Sequence, residues 1–250
     1  SRKGQLGLNQ GSANTNYSSP VQVGSDTTWS EVTTGSQFSM ALKTDGTLWS
    51  WGYNGGSHPS SQWGNLGQNN ITNYSSPVQI PGTTWSKISG DNKNSLGIKT
   101  NGTLWGWGNN SIGALGHNNR TNYSSPVQVP GTTWSTINTS MNVTLATKTD
   151  GTLWAWGQNN TGQLGLNNMT QYSSPVQIPG TTWSKAKSSE YSSVAIKTDG
   201  TMWAWGANLQ GALGQGEAAP AYYSSPVQIP GTGWHDIQNA DKNYIATKLV

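Results

Sequence analysis

One four-residue phrase, Gly-Thr-(Leu/Met)-Trp, begins at Gly46, Gly102, Gly151 and Gly200, the last three about 49 residues apart. A chain that repeats at a fixed period of this size builds one supersecondary unit per period and stacks the units, because no unit can bury its apolar face alone. A second phrase keeps the same beat: Ser-Ser-Pro-Val-Gln places its proline at Pro20, Pro77, Pro126, Pro175 and Pro226. A third landmark, a Trp leading a short apolar run, falls at Trp29, Trp85, Trp134, Trp183 and Trp234. Five repeats of about 50 residues are therefore present.

Within one repeat, residues 134–178, four runs of strand length (WSTIN, VTLATKT, TLWAWG and PVQI) are separated by turn formers. Asp150-Gly151 between the middle two is a strong hairpin signal, and Asp45-Gly46, Asn101-Gly102 and Asp199-Gly200 repeat it. Helical periodicity is absent. Four strands in about 50 residues predict an all-β chain, a β-propeller of four-stranded blades, since a β-helix rung uses far fewer residues.

Side-chain alternation refines the blade. Met40, Leu96, Leu145, Val194 and Ile245 share one repeat position, and Ala41, Gly97, Ala146, Ala195 and Ala246 the next. These point to opposite faces of a strand, so the small face is expected to let a neighbouring blade approach closely, with this strand toward the crowded inner part of the propeller. The pairs Trp49/Trp51, Trp105/Trp107, Trp154/Trp156 and Trp203/Trp205 put two rings on one face of the following strand. Each ring can bury roughly 150–250 Å², which predicts that they pack blade against blade.

The length of 250 residues suits a single domain over 1–250, its blades divided near the Gly-Thr-Leu-Trp and Pro-Val-Gln elements. Charged residues make up only 9%, yet 14 Trp and 9 Tyr provide a core that a disordered chain would lack. A net charge of +3 without a Lys/Arg cluster argues against non-specific nucleic-acid binding. The absence of Cys removes disulfides and thiolate metal sites. No segment has the apolar length of a membrane span, and none reads as a signal peptide. A chain beginning at Ser1 is expected to be processed or cut from something longer.

The run GTLWAWGQNNTGQLGLNN, followed by SSPVQI, resembles the repeat of the regulator of chromosome condensation family, whose members form β-propellers. Kelch repeats would need regularly placed Gly-Gly, and WD repeats a Trp-Asp dipeptide that this chain lacks. The resemblance implies a binding protein without catalytic chemistry. The founding member is an exchange factor for a small GTPase and binds chromatin; relatives include a plant ultraviolet-B receptor and a β-lactamase inhibitor, and similar repeats occur in bacterial surface and phage virion proteins. The receptor's Gly-Trp-Arg-His-Thr motif is absent, so the tryptophans are read as packing. The family usually closes seven blades, so the five repeats either form a reduced propeller or belong to a larger array. Ser1 to Leu8 matches the loop after a Trp-x-Trp strand that the chain does not contain, and the fifth repeat stops at Val250 before its own.

No nucleophile–base pair, paired carboxylates, metal-ligand cluster or phosphate loop is present, so no enzyme activity and no cofactor is expected. Binding candidates are sought where the repeat is interrupted. Around Gly55 to Gln62 lie seven residues more than in the next repeat, including His58, followed by Trp63, a Trp with no repeat counterpart. A smaller insertion, Gly216 to Ala221, ends in Tyr222 and Tyr223. Lys43, Lys99, Lys148, Lys197 and Lys248 share a repeat position, where they either form a cationic circle for an acidic partner or solvate a strand end beside the turn. Tyr17, Tyr74, Tyr123, Tyr172 and Tyr223 either stack on sugars or seat the Pro-Val-Gln edge strand. The polar Asn/Thr/Ser/Gly skin favours a virion or cell-surface component, extracellular, attaching to another protein or a surface glycan within a larger assembly. The alternatives are an intracellular regulator in the cytoplasm, resembling the exchange factor, and a lectin.

Overall fold

The computed structural model describes residues 3–10, 16–55, 62–216, 221–240 and 243–248. Two compact units are present, Ser1–Ser111 with Thr121–Val129, and Ile112–Arg120 with Pro130–Val250. The first holds two four-stranded sheets, β1 (Trp29–Thr34), β2 (Phe38–Lys43), β3 (Leu48–Gly52) and β4 (Tyr74–Ile80), then β5 (Trp85–Asp91), β6 (Asn94–Lys99), β7 (Leu104–Gly108) and β8 (Tyr123–Gln128). The second holds β9 (Trp134–Ser140), β10 (Val143–Lys148), β11 (Leu153–Gly157) and β12 (Tyr172–Ile178), and then β13 (Trp183–Ser188), β14 (Ser192–Lys197), β15 (Met202–Ala207) and β16 (Tyr222–Ile229). A two-stranded sheet follows, β17 (Trp234–Ala240) with β18 (Asn243–Lys248). Every sheet is an antiparallel meander in sequence order, the form of a propeller blade.

The Gly-Thr-Leu-Trp phrase is a hydrogen-bond relay that closes the central hairpin. Asp150 Oδ1 accepts from the Thr152 backbone N–H at 2.9 Å and from its hydroxyl at 2.7 Å, and Thr152 Oγ1 in turn accepts from Trp154 Nε1 at 2.9 Å. Asp45, Thr47 and Trp49 form the same relay, as do Asp199, Thr201 and Trp203. The second sheet builds it with Asn101 in place of Asp, through Thr103 to Trp105. The threonine side-chain and backbone hydrogen bonds hold the Asp45, Asp150 and Asp199 carboxyls below their ordinary value of 3.8. A carboxylate depressed on folding contributes stability that is complete above the ordinary value and is lost as pH falls through the lower folded value. Thermal melts are therefore expected to weaken below about pH 4. Asp150→Asn, which copies Asn101, should retain the turn while flattening that acid dependence; an unchanged pH profile would contradict the relay's role.

The last strand of each complete sheet is an edge, and there the proline is accommodated. In β4 the register with β3 shifts between Ser50 and Gly52, so Ser75–Pro77 lie in a bulge where no ladder donor is required. β8, β12 and β16 repeat the shift.

The small position of the second strand has a use within its own sheet at Gly97, while Ala195 lies in a cluster shared with the preceding sheet. A side chain on Gly97 would come within 2.9 Å of the Trp85 ring, so the small position makes room for the leading Trp of the same sheet. Packing between successive sheets falls to the large residues. In the first unit Met40, Leu42, Leu48 and Ile80 meet Trp85, Ile88 and Trp107, with Trp105 packed beside them. In the second, Leu145, Leu153 and Ile178 meet Trp183 and Trp205, with Trp203 alongside. The expected role in joining sheets holds for Trp105/Trp107 and Trp203/Trp205, with Trp107 and Trp205 fully buried.

Loop carbonyls then hold the four complete sheets in one recurring way. Trp205 Nε1 and Ser193 Oγ both donate to the carbonyl of Gln163, at 2.9 and 2.8 Å. Trp107 and Ser95 meet the Asn65 carbonyl in the same way, Trp156 and Thr144 that of Ala114, and Trp51 and Ser39 that of Gln5. Four residues beyond each acceptor, the backbone N–H groups of Asn9, Asn69, Asn118 and Asn167 donate to Ser75, Ser124, Ser173 and Ser224, at 2.7–2.8 Å. Residues 3–10 thus serve the first sheet as the loop after a third strand serves the others.

Candidate binding surface

The five repeated lysines lie on tryptophan faces. Lys43 Nζ is 4.8 Å from the Trp29 ring centroid and 4.2 Å from that of Trp49. Lys99 sits between Trp85 and Trp105, Lys148 between Trp134 and Trp154, and Lys197 between Trp183 and Trp203, all at 4.1–4.9 Å. Lys248 lies 4.3 Å over Trp234. An ammonium held over an indole face is attracted by the ring quadrupole, so each four-stranded sheet uses this charge to join its first strand to its third. Burial pushes the Lys99 ammonium below its ordinary value. Lys43 also pairs with Asp26 at 2.5 Å, and that hydrogen bond, with those from Thr28, keeps the Asp26 carboxyl far below the usual carboxylate range. Sequence reasoning placed these lysines at one repeat position but could not see the clamp, because the two rings come from strands distant in the chain.

The insertion in the first unit builds a different cluster. Tyr53 follows β3, held by its N–H to the Gln37 carbonyl at 2.8 Å. Trp63 meets it edge to face, with ring centroids 6.0 Å apart and planes at 78°. Lys93, in the turn between β5 and β6, places Nζ 4.2 Å over Trp63, and Lys3 lies 4.9 Å over Tyr53. Both rings are half-buried, leaving aromatic edges and two cations on one patch. Unlike the repeated tryptophans, Trp63 takes no part in a sheet-to-sheet latch among the described residues. His58 lies outside the described residues. The insertion length flagged Trp63; Tyr53, Lys93 and Lys3 carried no sequence signal, since Asn109 and Gln158 stand where Tyr53 does.

Tyr222 and Tyr223 begin β16 and part company there. Tyr223 takes the repeat position opposite Gly206 and packs on the cores of the second unit, whereas Tyr222 is 47% exposed. Tyr74, Tyr123 and Tyr172 are half-buried against their cores, while Tyr17 is exposed. Among the described residues no three His, Asp or Glu side chains gather as metal ligands, and no helix is long and apolar enough to cross a membrane.

Antiparallel four-stranded sheets, each held by a loop carbonyl and repeating at about 49 residues, define a tandem-repeat β-propeller protein. The repeat itself is identified by family models for the regulator of chromosome condensation (RCC1) repeat, which match residues 101–143 and 150–196 and, in a second version, 29–56. The chain is an RCC1-type repeat protein. A search of curated protein sequences gives no match. Among solved structures, human WBSCR16 superposes with a TM-score of 0.78 at 20% identity, over 94% of this chain and 62% of that one. Yeast RCC1 (Prp20), in its complex with Kap60, gives 0.72 at 17% identity, over 85% of this chain and 52% of that one. Prp20p from Saccharomyces cerevisiae, in a study of its binding to Gsp1p and histones, gives 0.68 at 17% identity, over 82% and 51%. The chain therefore spans about half to three-fifths of the length of the structures it resembles.

Proposed function

We propose that the chain is a non-enzymatic, protein-binding propeller, a single domain over residues 1–250, that engages its partner through the Tyr53–Trp63 patch. The observation that carries this reading is the patch itself, two half-buried aromatic rings capped by Lys3 and Lys93 and taking no part in the latches. Half-buried Trp and Tyr rings beside cations suit apolar and acidic side chains of a protein surface. Tyr222 is a secondary candidate in the second unit. The comparisons support an RCC1-like regulator acting inside the cell more than they support attachment at a virion or cell surface, since the yeast RCC1 structures concern binding to Kap60, Gsp1p and histones. The glycan and lectin readings draw on the polar skin alone.

A photo-crosslinking residue at position 63 is expected to capture a protein, with exposed position Met169 as the control. Capture at 169 equal to that at 63, or none at 63, would overturn the assignment. Trp63→Ala should weaken partner binding about tenfold or more while changing stability by under roughly 1 kcal/mol, because the ring lies outside the described core clusters.

A further inference from the structure

The residue three places before the leading tryptophan sets the first sheet apart from the other complete ones. Asp26 stands there before Trp29, whereas Gly82, Gly131 and Gly180 precede Trp85, Trp134 and Trp183. In the first sheet one Asp26 oxygen reaches Lys43 at 2.5 Å, and the other accepts from the Thr28 N–H and hydroxyl at 2.8 and 2.6 Å. The lysine clamped on Trp29 and Trp49 therefore has a counter-charge on its open side. Lys99, Lys148 and Lys197 form no ion pair among the described residues. Each glycine instead leaves a notch walled by donors. A Cβ on Gly82 would lie 3.4 Å from Trp85 Nε1 and 3.8 Å from Lys99 Nζ. On Gly131 it would lie 3.6 Å from both Trp134 Nε1 and Lys148 Nζ, and on Gly180 3.6 and 3.7 Å from Trp183 Nε1 and Lys197 Nζ. The three indole nitrogens are buried and meet no acceptor among the described residues, as is that of Trp29, while the glycines themselves are exposed.

The second sheet is the least neutralised of the three. Asp150 and Asp199 stand two residues beyond Lys148 and Lys197 and lie within electrostatic reach of them, although one oxygen of each is held by Thr152 or Thr201. Beyond Lys99 that place is the neutral Asn101. Burial already disfavours the Lys99 ammonium, which an anion beside it would offset. We propose that Lys99, with Gly82 and Trp85, is a docking site for an acidic side chain of a partner protein, and that Lys148 and Lys197 form weaker copies of it. The occupant is read from Asp26, a carboxylate carried on a polypeptide, which fills the corresponding place in the first sheet. An ammonium laid on two rings keeps a free side for an anion, and the glycine omits the side chain that would cover it. A carboxylate entering beside Gly82 meets the ammonium first and has the indole N–H behind it as a second donor. No residue of the Tyr53–Trp63 patch takes part.

The test follows the indole N–H resonances of the 250-residue protein while hexaglutamate is added at constant ionic strength. Expected is a saturable shift at Trp85, with saturation at Trp134 and Trp183 only at higher peptide. Trp107, whose N–H is already bonded to the Asn65 carbonyl, should not respond. Acetate and inorganic phosphate at equal charge should act more weakly than the peptide, whose linked carboxylates rebind. Lys99→Gln should remove the Trp85 response. Because that change also loosens the clamp, two further variants carry the test. Asn101→Asp, which copies the turn of the other sheets, should weaken binding at Trp85 by about two- to fivefold. Asp26→Gly, which copies Gly82, should create a response at Trp29 that the native protein lacks. The proposal is overturned if Trp85 shows no saturation, or if acetate or phosphate shifts it as strongly as the peptide. It is equally overturned if Asp26→Gly leaves Trp29 silent.

Discussion

Trp205→Ala is expected to cost about 3–5 kcal/mol, the range for removing a fully buried aromatic side chain. The indole is wholly inaccessible, packs among Leu145, Leu153 and Ile178 of the preceding sheet, and donates to the Gln163 carbonyl. Its loss opens a cavity between two sheets and removes one of two donors from a buried acceptor. Ser193→Ala removes the other donor and no comparable volume, and should cost only about 1 kcal/mol. Because both side chains share one carbonyl, the double variant should depart from the sum of the two. Denaturant unfolding of the three variants checks all of this. A Trp205→Ala loss no larger than that of Ser193→Ala would mean that the latch, and not the indole's burial, joins the sheets.

Gly157→Ala should be nearly as damaging although it adds one methyl group. The residue ends β11 at φ 102°, and a Cβ there would stand 2.0 Å from the Asn142 carbonyl oxygen. No side chain can yield, since the obstructing atom is backbone. Strain of about 1–3 kcal/mol for the disfavoured dihedral and about 1–3 kcal/mol for the displaced strand put the loss near 3 kcal/mol or more. Thermal melting with intact protein yield would test it; an unchanged midpoint would show that the β9–β10 turn, which carries Asn142, can shift at no cost.

The repeat made the blade readable because its period, its Asp-Gly turns and its Trp-x-Trp strands are written in side chains. Pro77 on an edge strand and Trp107 between sheets follow from those patterns alone. The latches were not readable, since the acceptors at Gln5, Asn65, Ala114 and Gln163 are backbone carbonyls and their residue types do not agree. The use of Gly97 was hidden for a related reason. Periodicity told that Gly97 must be small, but not that its own sheet's Trp85 lies over it. For the candidate surface, an insertion pointed at Trp63 while its partners Tyr53 and Lys93 sit at positions the repeat leaves free to vary.

The latches all run one way along the chain. Gln5 precedes the sheet it holds, as do Asn65, Ala114 and Gln163, and in each case the acceptor lies upstream of both donors. On a ribosome each of these four sheets therefore emerges after the loop whose carbonyl it meets, and its latch does not wait for sequence not yet translated. Synthesis from the N-terminus and assembly of the propeller share one direction, which keeps the aromatic faces of each new sheet exposed only for as long as that sheet takes to be completed.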